Sequence, residues 1–271
     1  MDTVALTTHI GTLVTGIRLA DATDDEIERL RTLAAERGVL VFRDQEMTIA
    51  EQVELGRRFG PLHVHPAADA AAGHPEAMKV FTEPGATSVA GESWHSDVSC
   101  DELPPALSML RMIDVPATGG DTLWASTYRA YETLSPPIQE LISGLSALHS
   151  SARYYTRRYG SAAATGKSYP EAVHPVVTTH PITGRRALYV NTMFTASIPG
   201  LSPAESDALL KMLFDHVAYG VGFQVRVRLE VGSVAMWDNR CTQHHATWDY
   251  LPEPRRGYRV TTRGGRPVLA G

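Results

Sequence analysis

The sequence predicts a mainly β protein with flanking helices, folded as a double-stranded β-helix (jelly-roll) barrel. Two observations lead to this fold class. Many short runs of apolar and β-branched residues occupy the middle of the 271-residue chain, and four segments with helix-start signals lie between and around them. Two packed antiparallel sheets accommodate many short strands, because this arrangement leaves few strand edges exposed.

Four helices are predicted from their start signals. A threonine followed three residues later by glutamate forms a capping box at the start of segments 23–38 and 48–61. A serine followed by proline opens the other two helices, at Ser135 and Ser202. The apolar stripes predicted to face the core are Ile27, Leu30 and Leu33; Val53, Leu55 and Phe59; and Leu209, Leu210, Leu213 and Phe214.

Six runs of β-forming residues are predicted as strands. The clearest is Phe223–Leu229, in which apolar and polar residues alternate as in a strand with one solvated face. The other five are 38–42, 106–113, 188–190, 234–237 and 258–262.

One domain is expected over residues 1–271, with mobile loops at about 66–93 and 150–170. The second stretch is too long and irregular for a simple connection. It is interpreted either as a lid or binding loop, or as a solvated basic loop.

Composition excludes some classes of partner. Hydrophobic residues make up 43% of the chain and the net charge is −5, so no basic excess favours nucleic acid. No apolar run approaches the ~20 residues of a membrane span, and the first residues do not resemble a signal peptide. Two cysteines, Cys100 and Cys241, suit a reducing compartment and are expected to be packing residues. A cytoplasmic protein is therefore expected, as a homo-oligomer (dimer or tetramer).

The motif His95-Ser96-Asp97 is the first candidate for chemistry. Residues i and i+2 of a strand or tight loop project to the same side, so the imidazole and the carboxylate can hold one face of a metal. A distant histidine in Trp237–His245 can close the triangle, and two histidines with one carboxylate form the facial triad of non-haem iron(II) oxygenases. A hydrogen-bonded loop pair is the alternative for the motif alone. His244 and His245 are both candidates for the third ligand.

Arg255 and Arg259 follow the third ligand closely. An arginine fork binds a carboxylate through two hydrogen bonds, as the far carboxylate of a 2-oxo acid would require. The spacing predicts that metal ligand and anion receptor lie on neighbouring strands of one small barrel. The alternative is an exposed basic run on a solvated strand face.

Taken together, the motifs of this chain resemble the taurine/2,4-dichlorophenoxyacetate dioxygenases, which depend on Fe(II) and 2-oxoglutarate. The resemblance extends from about residue 10 to 267. It is carried by Val39–Gln45, Phe59–His63, Trp94–Asp97, Gly119–Trp124, His174–Val177, Leu188–Asn191, Trp237–Asn239 and Arg255–Thr261. It implies that His95, Asp97 and His244 bind the iron, with His244 preferred over His245 by its alignment with the family's motif.

The resemblance also assigns the organic ligands. Thr122 and Arg255 are implied to hold the distal carboxylate of 2-oxoglutarate, with Arg259 near the anion pocket shared by co-substrate and substrate. His65 would assist Arg259, and Val98 would line the same pocket. The implied cofactors are Fe(II), 2-oxoglutarate and O₂.

The expected reaction is hydroxylation, with or without cleavage, of a small anionic substrate such as a sulfonate, sulfate ester, aryloxyalkanoate or amino-acid-like acid. This chain has Ala68 and Gly91 where taurine enzymes carry an aromatic and an amide residue, which predicts a larger, less polar pocket. Asp97 argues against halogenation, because related halogenases replace this carboxylate. Two alternatives are a 2-oxoglutarate-independent jelly-roll metalloenzyme and a catalytically silent binding protein.

Overall fold

Sixteen strands and six α-helices form the parts of the chain that the computed structural model describes, which are residues 1–65, 68–83, 86, 89, 91–159 and 169–269. The helices are α1 (Asp24–Arg37), α2 (Ile49–Phe59), α3 (Thr127–Glu132), α4 (Pro136–Ser143), α5 (Ala152–Tyr159) and α6 (Pro203–Ala218). The strands are β1 (Asp2–Ala5), β2 (Thr12–Thr15), β3 (Val39–Phe42), β4 (Ala70–Ala71), β5 (His74–Thr82), β6 (Leu107–Asp114), β7 (Thr122–Ser126), β8 (Ser146–Ser150), β9 (Glu171–Pro175), β10 (Val177–Thr179), β11 (Arg186–Leu188), β12 (Thr195–Ser197), β13 (Gln224–Val227), β14 (Val234–Asp238), β15 (Thr242–Ala246) and β16 (Arg255–Thr261).

These strands form four sheets, and the protein is mostly β with some helices. The largest has eight strands in the order β1-β2-β3-β14-β6-β16-β5-β4, and only its β2–β3 pair is parallel. The second sheet has the strand order β13-β7-β15, and the third has the order β12-β8-β9. Strands β10 and β11 form a hairpin.

The eight-stranded sheet and the β13-β7-β15 sheet pack face to face through one apolar cluster. Leu110 and Trp237 contribute to it from the first sheet, and Trp124 and Val225 from the second. The rings of Trp124 and Trp237 have centroids 6.0 Å apart. Chemistry-bearing residues at one end of this interface therefore come from both sheets.

Helices α1 and α2 cover the other face of the large sheet. Both begin with the predicted capping boxes, at Thr23 and Thr48. The buried face of α1 differs from the prediction, because Leu33 is half-buried while Ala34 and Ala35 are buried. Small residues at these positions let the helix lie close to the sheet.

The predicted strands are present with shifted ends. The alternating run 223–229 forms β13 over four residues, and Phe223 lies in a short 3₁₀ turn. The run predicted at 188–190 is instead β11, which ends at Leu188. Strand β16 begins three residues before its predicted start and so includes Arg255.

The two stretches predicted as mobile loops contain regular structure. Residues 74–82 form β5, a nine-residue strand, and residues 152–159 form α5. Residues 160–168 of the second stretch lie outside the described residues. Mobility of both stretches stays a prediction. Within the described part of the chain, no helix has the length and apolar character needed to cross a bilayer.

Candidate active site

The side chains of His95, Asp97 and His244 meet in a cavity between the two facing sheets. Asp97 Oδ1 lies 3.8 Å from His95 Nε2 and 3.9 Å from His244 Nε2. All three side chains are buried. One ligand atom from each therefore points at a common position.

The two histidines are held by a backbone bridge. His95 and His244 exchange both backbone hydrogen bonds, with N–O distances of 3.1 and 2.8 Å. His95 Nδ1 donates to the carbonyl of Ser93 at 2.7 Å, so the lone pair of this ring is on Nε2, which faces Asp97. Burial lowers the pKa of both histidines, which favours the neutral form that binds metals.

Asp97 is held from its backbone and from one carboxylate oxygen. Its N–H donates to Asn239 Oδ1 at 3.0 Å, and its Oδ2 accepts a hydrogen bond from Ser108 Oγ at 2.8 Å. Burial alone would raise the pKa of this carboxyl group, but the charge of Arg259 together with the hydrogen bond from Ser108 holds the pKa well below its usual range. The carboxylate is therefore ionised, with Oδ1 facing the two imidazoles.

Asn239 and Ser108 are functional residues that the sequence analysis did not single out. Asn239 Oδ1 also accepts from Trp237 Nε1, and Asn239 Nδ2 donates to Ser108 Oγ, both at 3.0 Å. Together the two residues fix the backbone and the carboxylate of Asp97. The available signal was a hydroxyl at position 108 in a predicted strand whose only other polar residue is Arg111.

Val98 follows Asp97 in a conformation that is rare for a β-branched residue. Its φ is +43°, and its side chain is buried against the cavity. Such a residue costs on the order of 1–3 kcal/mol and persists only where its surroundings hold it. The turn gives Val98 a place in the cavity wall.

The two candidates for the third ligand lie on opposite sides of β15. His244 points into the cavity, whereas the ring of His245 packs edge-on against Trp94, with centroids 5.6 Å apart. Only His244 joins the three-residue cluster among the described residues.

Arg255 is a buried cation whose described hydrogen bonds go to uncharged groups. Its Nε donates to the carbonyl of Gly120 at 3.0 Å, and one terminal nitrogen donates to Thr122 Oγ1 at 3.2 Å. Within the described parts of the chain it forms no ion pair, and burial lowers its pKa more than the charge of Asp121 raises it. A buried guanidinium without a counter-charge is costly, so the site favours an anion.

Two glycines allow the chain to approach Arg255. Gly119 and Gly120 have φ values of +72° and +70°. A Cβ on Gly119 would lie 2.7 Å from Asp249 Oδ1, and one on Gly120 would lie 3.3 Å from Cδ of Arg255. The turn thereby brings the Gly120 carbonyl to the guanidinium.

Arg259 points into the same cavity from further along β16. One terminal nitrogen donates to Asp97 Oδ1, and the other lies 3.2 Å from the sulfur of Met78, a weak acceptor. Its buried Nε has no hydrogen-bond partner within the described residues. Two of its three nitrogens therefore lack a strong acceptor.

His65 lines the cavity and is oriented by two contacts. Its Nδ1 accepts from the backbone N–H of Ala68 at 2.9 Å, and its Nε2 lies 3.2 Å from the hydroxyl of Tyr155 in α5. Gly91 lines the cavity as expected, but Ala68 is not among the described residues of the wall.

One sequence prediction about the arginines is wrong. His244 and Arg255 do not lie on neighbouring strands, because β15 pairs with β7 in the small sheet while β16 lies between β6 and β5 in the large one. The residues between them carry the chain from one sheet to the other. The anion receptor therefore faces the ligands across the cavity.

The donor set fits a divalent iron. Two neutral imidazoles and one carboxylate are the ligands of iron(II) oxygenases that keep open positions for a co-substrate and O₂. The buried, uncompensated Arg255 lies in the same cavity, as a co-substrate with a distal carboxylate requires. Fold and site together define a non-haem iron(II) and 2-oxoglutarate-dependent dioxygenase.

Comparison with known proteins gives the family. The family model described as "Taurine catabolism dioxygenase TauD, TfdA family" matches residues 2–261. A putative alpha-ketoglutarate-dependent sulfonate dioxygenase of Schizosaccharomyces pombe is 37% identical, over 97% of this chain and 70% of its own length. An alpha-ketoglutarate-dependent sulfate ester dioxygenase of Pseudomonas putida is 36% identical, over 96% of this chain and 88% of its own.

A solved structure agrees with these relatives. The crystal structure of a putative alpha-ketoglutarate-dependent taurine dioxygenase from Burkholderia xenovorans has a TM-score of 0.86 and 34% identity, covering 99% of this chain and 94% of that one. The chain belongs to the TauD/TfdA dioxygenase family. Its cofactors are Fe(II), 2-oxoglutarate and O₂.

Proposed function

We propose that this dioxygenase hydroxylates a C–H bond of a small organic anion. The preferred anion is a sulfonate or a sulfate ester rather than a carboxylate. The observation that carries the proposal is Arg259, a nearly buried cation that lines the cavity beside Asp97 and His65. The sulfonate and sulfate ester dioxygenases among the relatives support this choice of anion.

His95, Asp97 and His244 are proposed to hold the iron, and Arg255 with Thr122 to bind the distal carboxylate of 2-oxoglutarate. When bound, the iron, 2-oxoglutarate and O₂ supply the oxidising chemistry. The residues of the chain position the ligands and limit access of water. Arg255 is placed for this role because its hydrogen bonds orient the guanidinium without neutralising it.

Arg259 is proposed to bind the charged end of the substrate with help from His65. Without metal, one nitrogen of Arg259 is paired to Asp97. A metal on Asp97 takes up part of that carboxylate's charge, so Arg259 then gains more from a second anion. If the hydroxylated carbon carries the sulfonate sulfur or the sulfate ester oxygen, the product is unstable. The C–S or C–O bond then breaks, and the substrate is cleaved.

The arrangement of the strands supports a double-stranded β-helix as the fold, since two antiparallel sheets enclose the site. Of the other two functions, a metalloenzyme without 2-oxoglutarate would leave the buried Arg255 without a counter-charge. A catalytically silent binding protein would not need a cluster of three metal ligands.

The test is a screen for succinate release over sulfonates, sulfate esters, aryloxyalkanoates and amino acids. A sulfonate that reacts is then compared with its neutral sulfonamide in wild type and in Arg259→Leu. We expect the sulfonamide to react poorly in wild type and the sulfonate to lose its advantage in the variant.

Arg256→Leu is the matched control. Arg256 lies three residues before Arg259 on β16 and is paired to Asp114 at the surface. This variant should keep the preference for the sulfonate. Equal turnover of sulfonamide and sulfonate by the wild type would refute the anion anchor.

A further inference from the structure

We infer that the substrate's body is apolar and uncharged, so that this enzyme selects alkyl sulfonates or sulfate esters over amino sulfonates such as taurine. The inference rests on the proposed function, since it takes Arg259 as the anchor for the anionic end. It concerns the opposite end of the same molecule.

Most of the side chains that line the cavity are apolar or aromatic. Met78, Val80 and Leu110 line the cavity from the large sheet, and Tyr154, Met193 and Phe194 line it from the other side. Apart from Asp97, no described residue of the lining carries a carboxylate. An ammonium group on the substrate would therefore lose water without finding a carboxylate that the metal does not already use.

The aromatic side chains offer an ammonium little compensation. Tyr154 and Tyr155 both pack edge-on against Phe194, at centroid distances of 6.0 and 6.2 Å, and Tyr155 also packs against Tyr169 at 5.4 Å. A cation gains from an aromatic ring only when it sits over an open face. These rings use one another as partners and form a surface suited to an alkyl chain.

The charges of the site point the same way. Arg255, Arg259 and a divalent metal together carry four positive charges, and Asp97 with the 2-oxoglutarate dianion carries three negative charges. The net charge of the site is therefore +1. A monoanionic substrate neutralises that charge. A zwitterion adds nothing to the balance and places its ammonium group in a positive field.

The glycine at position 91 leaves this part of the wall without a polar side chain. A Cβ there would already lie 3.2 Å from Cε1 of His95, and the φ of +84° disfavours other residues. The backbone itself is occupied, since the Gly91 carbonyl accepts from Ala246 N–H at 2.9 Å. Position 91 therefore offers an ammonium ion no side-chain acceptor, and one lone pair of its carbonyl is already used.

The test compares propane-1-sulfonate with taurine, which have nearly the same shape and differ by a methyl group in place of an ammonium. Binding is measured by calorimetry on the Fe(II)- and 2-oxoglutarate-loaded protein without O₂, so the readout is affinity rather than turnover. We expect propane-1-sulfonate to bind at least about tenfold more tightly. Taurine binding equally well or better would overturn the inference.

A pair of variants locates the selectivity. Met193→Glu places a carboxylate on the apolar wall, and Met193→Gln has the same size without the charge. The glutamate should shift the affinity ratio toward taurine by about tenfold, whereas the glutamine should leave the preference for propane-1-sulfonate. A ratio that does not respond to the glutamate would refute the placement of the substrate's body at this wall.

Failure of the inference differs from failure of the proposed function. Succinate release with both taurine and propane-1-sulfonate at equal affinity would overturn the inference alone. If no sulfonate or sulfate ester binds or promotes succinate release, the proposed function itself is wrong. The wild-type comparison decides the question even if a Met193 variant does not fold.

Discussion

Two buried clusters of potential metal ligands among the described residues contain a histidine and an aspartate, and they differ in what their ligand atoms already bind. His95, Asp97 and His244 form the first, and His180, Asp238 and Cys241 form the second. In both, the potential ligand atoms lie within 4.8 Å of one another. Residue types and distances alone would make both of them metal sites.

In the second cluster, hydrogen bonds already occupy the lone pairs of His180 and Asp238. Arg240 binds both oxygens of Asp238, and His180 Nε2 donates to the same carboxylate at 3.1 Å. His180 Nδ1 accepts from two backbone N–H groups, so its lone pair is used as well. Burial raises the pKa of the Cys241 thiol well above its usual value, which keeps it protonated.

In the first cluster, hydrogen bonds orient the ligands and leave a lone pair on each metal-facing atom. His95 uses Nδ1 for the carbonyl of Ser93 and presents Nε2. Asp97 uses Oδ2 for Ser108, while Oδ1 accepts one hydrogen bond, from Arg259, and keeps its second lone pair for a metal. The comparison shows that metal competence depends on which lone pairs the fold has already occupied.

The largest expected effect is on activity, and it distinguishes Asp97 from Asp238. Asp97→Ala should lower kcat/KM by at least about a thousandfold, about 4 kcal/mol, because the metal loses its only carboxylate ligand. The measurement is succinate release with the best substrate of the screen. Full iron-dependent activity in this variant would show that the metal lies elsewhere.

The second aspartate should affect stability instead. Asp238→Ala removes the partner of Arg240, and we expect a loss of about 2–3 kcal/mol in the free energy of unfolding, at the low end for a buried pair because the Arg240 side chain is 25% exposed. Urea denaturation of the metal-free protein measures this loss, and the same measurement with a divalent metal is the control, because the metal should stabilise Asp238→Ala but not Asp97→Ala. Stabilisation of Asp97→Ala but not of Asp238→Ala by the metal would reverse the assignment of the two clusters.

A third prediction concerns the co-substrate. Arg255→Gln should raise the apparent KM for 2-oxoglutarate by about 10–100-fold and change that of the prime substrate much less, since a charge-assisted pair to one carboxylate is lost. Steady-state kinetics with each ligand varied in turn gives both values. Equal weakening of both would place Arg255 in a general structural role.

The smallest expected effect concerns the support of Asp97. Ser108→Ala removes the hydrogen bond to Asp97 Oδ2, and metal affinity should fall by about tenfold. Ser99→Ala is the matched control, because this buried hydroxyl lies two residues from Asp97 but bonds to His149. Competition with a fluorescent chelator measures both. The same loss in the two variants would mean that position 108 acts through packing alone.

The local features of the fold could be predicted from the sequence. The helix starts at Thr23 and Thr48 depend on residues three positions apart, so the motif contains the whole interaction. The alternation in β13 and the projection of His95 and Asp97 to one side also depend only on residues close together in the sequence. Family resemblance added the distant partner His244.

The remaining features depend on the pairing of distant strands. Asn239 is separated from Asp97 by 142 positions in the sequence and from Ser108 by 131 positions. Neither contact produces a periodic pattern in the sequence. The placement of Arg255 opposite His244 depends on the crossing between two sheets. Sequence reasoning therefore predicted the three candidate ligands but not the residues that hold them.

Cobalt(II) titration tests most directly the claim that only the first cluster binds the metal. In wild type we expect one ion per chain and a spectrum without thiolate charge-transfer bands, since Cys241 takes no part. Asp97→Ala should lose this binding, and Cys241→Ala should keep it. Retained binding in Asp97→Ala, or a thiolate band that disappears in Cys241→Ala, would contradict the account and place the metal at the second cluster.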